Sequence, residues 1–297
     1  MSSSLGFERA PAWVVPVMRF GYTARGVTYV LLGVLTFLAA WTGGQAENTS
    51  SAMADLRGQP WGVAALWAIA VGMLSYAVWR LIAAWQDLEL HGGGAKGFVA
   101  RSGLAITGLI HIGLAVTAAR QATGSGGSGG SQGGEGGKVQ SLASWLMQQD
   151  PWGKWVVAAA GLAVVGAGIY YGVKAVRELY KRHMRQSPRA QKLDPVIKAG
   201  LIAHGIVVAI IGLFLVGAGL TADPSQAGGL GRAFETVRAQ PFGRILLGAL
   251  GIGFVAFAIY CFVEARYRIV PRRAGPDTKT LAGRFESEFR GAIARVT

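Results

Sequence analysis

Six long apolar runs alternate with polar stretches along the chain, at residues 17–41, 61–85, 98–119, 152–176, 196–220 and 242–263. Each reaches the roughly 20 residues that a helix needs to cross a bilayer. Each is apolar around its whole circumference, as a lipid-embedded helix must be. None alternates with the period of two that a membrane β-barrel requires. The pattern predicts an all-α, polytopic integral membrane protein with six transmembrane helices.

The runs repeat in pairs. Arg19-Phe-Gly-Tyr-Thr-Ala-Arg-Gly26 aligns without gaps on Arg101-Ser-Gly-Leu-Ala-Ile-Thr-Gly108 and on Lys198-Ala-Gly-Leu-Ile-Ala-His-Gly205. The second run of each pair starts at Gln59-Pro-Trp-Gly62, Asp150-Pro-Trp-Gly153 or Gln240-Pro-Phe-Gly243. Proline suits a helix's first turn, where its missing N–H costs nothing. The aromatic beside it suits the membrane interface. Nineteen residues after each proline comes another aromatic, Trp79, Tyr170 or Tyr260.

Each copy has two spans, so all three enter the membrane in the same direction. Parallel repeats are related by an axis along the membrane normal, and three of them predict a pseudo-threefold ring. The chain divides into an N-terminal segment 1–16, hairpins at 17–90, 97–182 and 196–270, and a tail 271–297.

Composition agrees with a membrane setting: 52% of residues are apolar and only 15% charged, against about 25% charged in a soluble domain. The net charge of +14 suggests nucleic acid until its placement is read. Of the 29 Lys and Arg, 22 lie in or beside the N-terminal segment, the second and fourth loops and the tail. The positive-inside rule then puts both termini in the cytoplasm of a bacterial inner membrane. The expected partners of that basic face are anionic lipid headgroups or a protein, not nucleic acid. Glu8 and Arg9 precede a run too long for a cleavable signal, so the first helix is expected to act as its own insertion signal. Cys261 is the lone cysteine, which excludes an intramolecular disulfide.

With the Gly-Tyr-x-Ala-Arg-Gly start at residues 21–26 and the (Gln/Asp)-Pro-(Trp/Phe)-Gly starts, the chain resembles a bacterial membrane family catalogued as domain of unknown function 1206, over roughly residues 17–270. The resemblance implies three hairpins and no particular activity. The second and third copies depart from the first at Arg25, where they carry Thr107 and His204.

Those three residues share one register, with Tyr29 and His111 one turn deeper in the first two copies. If equivalent faces turn inward, Arg25, Tyr29, Thr107, His111 and His204 form one polar intramembrane cluster, suited to an anion, a proton relay or a cofactor. The plainer expectation is that the histidines donate to carbonyls of neighbouring helices while Arg25 snorkels to lipid phosphate. His111 and His204 also raise bis-histidine haem ligation, but they lie on different turns and no attachment motif accompanies them. Lys174 and Glu264 occupy equivalent places and are expected to reach headgroups.

The glycines Gly21, Gly26, Gly103, Gly108, Gly168, Gly172, Gly200 and Gly205 suit close helix packing, as do Gly161, Gly166, Gly248, Gly251 and Gly253. Residues 124–137, with nine glycines and three serines, read as a flexible extracytoplasmic linker. Leu281, Phe285, Phe289 and Ile293 space an amphipathic helix in the tail. No zinc spacing, acid pair, nucleophile elbow or phosphate loop is present, so no catalytic residue, metal or cofactor is expected. The leading expectation is a structural or lipid- and partner-binding membrane protein. The alternatives are a small transporter or channel through the Arg25/His111/His204 layer and a haem- or quinone-binding electron-transfer subunit.

Overall fold

A computed structural model describes residues 12–42, 49–89, 91–92, 94–125, 135–149, 151–185 and 187–270. The helices in chain order are α1 (Val14–Thr42), α2 (Thr49–Arg57), α3 (Gly62–Gln86), α4 (Ala95–Thr123), α5 (Glu135–Met147), α6 (Gly153–Val176), α7 (Pro188–Lys192), α8 (Asp194–Thr221), α9 (Leu230–Arg238) and α10 (Gly243–Tyr267). Six of them, α1, α3, α4, α6, α8 and α10, are long and apolar enough to cross a membrane. The protein is a six-span membrane protein. At about 1.5 Å per residue, the 29 residues of α1 exceed the length that a hydrocarbon core of about 30 Å requires.

Several boundaries differ from those read along the chain. α1 begins at Val14, α4 at Ala95 and α8 at Asp194, each two or three residues before its apolar run. The Gly-rich linker ends in helix, since α5 starts at Glu135. Residues 126–134 and the tail 271–297, with its amphipathic spacing, lie outside the described residues.

Each hairpin also holds a short helix at its turn, α2, α5 or α9. This accounts for the Pro-aromatic-Gly starts. The chain leaves the short helix and doubles back at once into the membrane. A Cβ on Gly62 would lie 1.8 Å from the Leu56 carbonyl oxygen. On Gly153 it would lie 1.9 Å from that of Leu146, and on Gly243 1.9 Å from that of Arg238. Only glycine fits that approach.

The spanning helices pack in the order α4, α3, α1, α10, α8, α6. The closest pairs are α3 with α4, α6 with α8, and α10 with α1. Each joins the second helix of one repeat to the first helix of the next, which is the relation a pseudo-threefold axis imposes. Small residues permit these approaches. A Cβ on Gly33 would lie 2.7 Å from the Gly251 oxygen, and one on Gly161 2.5 Å from the Val216 nitrogen. Within repeats, α1 packs on α3 and α8 on α10, but α4 and α6 do not pack along each other. The ring is an open arc with the second hairpin as its two ends.

On the side that carries residues 12 and 270, the segment between α6 and α8 folds over the bundle. Met184 bridges to Arg268, and Tyr180, Met184 and Val270 join the core around Val14, Met18 and Tyr22. His183 lies in this cap. Burial, with Arg268 beside it, lowers its pKa to about 4. In the unfolded chain it takes up a proton near pH 6.5. The unfolded state therefore binds more protons between these values, and stability falls as pH drops from about 6.5 to about 4. For Glu89, burial alone would raise the pKa, yet Arg268, His91 and Arg80 hold it well below the usual range. Its own contribution fades only below about pH 4.3. The thermal midpoint in mild detergent is expected to be flat above pH 7 and to decline toward pH 4.5. His183→Gln should shrink that decline, and an unchanged decline would clear His183 of the effect.

Candidate functional site

Arg25 lies 11 residues into α1, about 16 Å along the helix, and is only 3% exposed. It does not snorkel to lipid. Its register faces the axis because Gly21 and Gly26 on either side press against neighbours, Gly21 against the Tyr76 backbone and Gly26 against the Phe262 ring. The guanidinium donates to the Tyr76 hydroxyl at 2.9 Å. It also lies 5.5, 5.1 and 5.0 Å from the ring centres of Tyr29, Tyr76 and Phe257, within cation–π range.

Tyr29 and the two histidines gather at the same layer. His204 stacks on Phe257 at 4.1 Å and meets the Tyr171 ring edge-on at 4.7 Å and Tyr29 at 5.4 Å. His111 lies 4.5 Å from the Tyr76 ring. Among the described residues neither histidine bonds a neighbouring helix's carbonyl, contrary to the plainer expectation. His111 Nδ1 pairs with Thr107 O of its own helix at 2.7 Å, and His204 Nδ1 is buried without a partner. Thr107 stays out of the cluster, because its hydroxyl donates to Gly103 O at 2.7 Å.

A hydrogen-bonded chain leads from this layer toward the capped end and across all three repeats. Arg80 Nε donates to the Tyr76 hydroxyl at 2.8 Å and Arg80 pairs with Glu89 at 3.4 Å. Arg268 bonds both Glu89 and Glu264. Tyr260 donates to Glu264 at 2.6 Å, and Lys174 donates to Tyr260 at 2.7 Å. Lys174 and Glu264 thus turn inward, where Glu264 is 0% exposed, and do not reach headgroups. The repeat register placed them together, but the intervening tyrosine is what makes burial tolerable.

The charges do not balance. Four cations of the chain, Arg25, Arg80, Lys174 and Arg268, meet two carboxylates, Glu89 and Glu264. Among the described residues no carboxylate pairs with Arg25, and its Nε is buried without an acceptor. An uncompensated cation at membrane depth is costly, and the arrangement suits an anionic group. Among the described residues no three His, Cys, Asp or Glu side chains gather to hold a metal ion.

The packing glycines divide. Cβ atoms on Gly21, Gly26, Gly168, Gly200 and Gly205 would fall within 2.6 Å of neighbouring atoms, and one on Gly108 would lie 3.0 Å from Leu81. At Gly103, Gly166 and Gly172 nothing lies within 4 Å. Close packing at Gly103 and Gly166 is thereby corrected, since α4 and α6 do not meet there, while Gly172 is open only on its own Cβ side, because a Cβ on Gly205 would lie 3.5 Å from its backbone nitrogen. Tyr76, Tyr171 and Phe257 were missed. Tyr76 and Phe257 share a register sixteen residues after their prolines, which was the available signal.

The family described as Domain of Unknown Function (DUF1206) matches residues 20–87, 102–178 and 199–268. The three segments begin one residue after Arg19, Arg101 and Lys198, in the register that aligns the hairpins. The chain is 29% identical over 265 residues to the "Uncharacterized protein YxxB" of Bacillus subtilis (strain 168), covering 88% of this chain and 94% of that protein. No solved structure matches.

Proposed function

The chain belongs to the family described as Domain of Unknown Function (DUF1206), and we propose that it is a non-catalytic lipid-binding protein of the bacterial inner membrane. Arg25 would hold the anionic head of an amphiphile at the pseudo-threefold axis. One observation carries this reading: Arg25 is buried among aromatic rings with no carboxylate beside it among the described residues. The Lys and Arg asymmetry supports cytoplasmic termini. In that orientation the basic face lies against anionic headgroups or a protein partner.

Octanoate and octanol test the reading, because they share a chain and differ in charge. Octanoate is expected to raise the thermal midpoint of the full-length protein in mild detergent, and octanol is not. Binding at a hundred times Kd stabilises by about 2.7 kcal/mol. Arg25→Gln should abolish the shift. Equal protection by octanol, or full protection of Arg25→Gln by octanoate, would overturn the reading.

A further inference from the structure

We propose that the unpacked seam between α4 and α6 is a lateral entrance from the bilayer for a single-chain fatty acid, whose carboxylate pairs with Arg25. The proposal rests on the anion reading of Arg25 and adds the ligand and its route.

The three hairpins, compared in register, differ at the same places. Ala24 and Ala203 are buried, but Ile106 in their register is 57% exposed. Thr28 and Val207 are buried, while Ile110 is 57% exposed. On the second helices, Trp79 and Tyr260 are 1% and 2% exposed, and Tyr170 is 55% exposed. The faces that zip the first and third hairpins shut lie open in the second.

The sequence contains the cause. In the closed hairpins a glycine meets an alanine. A Cβ on Gly72 would lie 2.1 Å from that of Ala24, and one on Gly253 2.3 Å from that of Ala203. The second hairpin carries Ala163 and Ile106 at these positions, so both partners are too large for that approach. A further difference lies deeper. Tyr76 and Phe257 place rings 5.1 and 5.0 Å from the Arg25 guanidinium. Ala167, exposed, stands in their register. On α6, which borders the seam, the cage ring comes one turn further on, from Tyr171, and the position that matches Tyr76 and Phe257 carries none.

The seam faces are apolar, with Ile106, Ile110, Ala163 and Ala167 exposed, so they suit an alkyl chain and not a water path. Behind them, among the described residues, lie one cation with no carboxylate and an unpartnered His204 Nδ1. A guanidinium fork fits a carboxylate bidentately. A phosphodiester would add a second polar substituent within a wall of rings, where buried polar groups without partners are costly. A second copy of the chain would cover the seam and leave Arg25 unpaired.

The test is native mass spectrometry of the delipidated full-length protein incubated with oleate or with phosphatidylglycerol. Wild type is expected to retain one oleate in preference to phosphatidylglycerol. Ala167→Phe places a ring at the seam position and should weaken oleate retention by about tenfold or more, the effect of losing some 1.4 kcal/mol. Ile106→Ala with Ala163→Gly rebuilds the close approach of the other hairpins and carries the same expectation should the first variant not fold. Undiminished oleate on both seam variants with loss in Arg25→Gln would overturn the entrance and leave the anion site standing. Undiminished oleate on Arg25→Gln would overturn both. Phosphatidylglycerol retained in place of oleate would overturn the fatty-acid assignment.

Discussion

Alanine at Gly200 is expected to destabilise the protein strongly, whereas alanine at the equivalent Gly103 should be nearly silent. At Gly200 the added carbon would lie 2.3 Å from the Phe257 nitrogen and 2.5 Å from the Ala256 carbonyl carbon. Both are backbone of α10, so the helices themselves must separate. Overpacking of this kind costs about 1–3 kcal/mol. Separation would also disturb the stack of Phe257 on His204 and the ring beside Arg25. At Gly103 the new methyl meets nothing within 4 Å, and an exposed helical Gly→Ala change is favourable by up to about 1 kcal/mol. Thermal or SDS-induced unfolding of the two variants in one detergent checks the contrast. Equal losses would mean that α4 and α6 pack as the other hairpins do.

The second large effect is expected at Glu264. Glu264→Gln keeps the shape and the acceptor for Tyr260 but removes the negative charge between Arg268 and Lys174. The four cations of the network then share the interior with Glu89 alone. Removing one partner of a buried pair costs about 3–5 kcal/mol. Lys174→Met should cost less, because Glu264 keeps Arg268. The double variant should lie above Glu264→Gln in stability, since it removes one charge of each sign and the two residues are coupled through Tyr260. Additive losses in this cycle would show that Lys174 and Glu264 act independently.

Some of the site was readable along the chain. Arg25, His204 and His111 stood out because ionisable residues inside apolar runs are rare, and the repeat register lined up their turns. Tyr76 and Phe257 shared a register as well, but aromatics are common in membrane helices and nothing local marked these two. Glu89 could not be found that way. It sits in a short loop, and its partner Arg268 is 179 residues further on. The glycine reading failed at Gly103 and Gly166 for a related reason. A small residue permits close approach, but whether a helix arrives depends on the partner face, and there Ile106 and Ala163 keep it away.

The sequence by itself determined the six spans, the three parallel hairpins and their shared register. These follow from the length of the apolar runs, from the local demand of each Pro-aromatic-Gly turn for glycine and from motifs that repeat in order. Only the tertiary structure decided that the ring stays open at its second hairpin and that Arg25 lies buried with no carboxylate beside it among the described residues. It also decided that Lys174, Glu264, Arg268 and Glu89 join in one chain of hydrogen bonds. Those outcomes depend on which faces meet across long stretches of sequence, where a single methyl group on either helix determines whether they can touch.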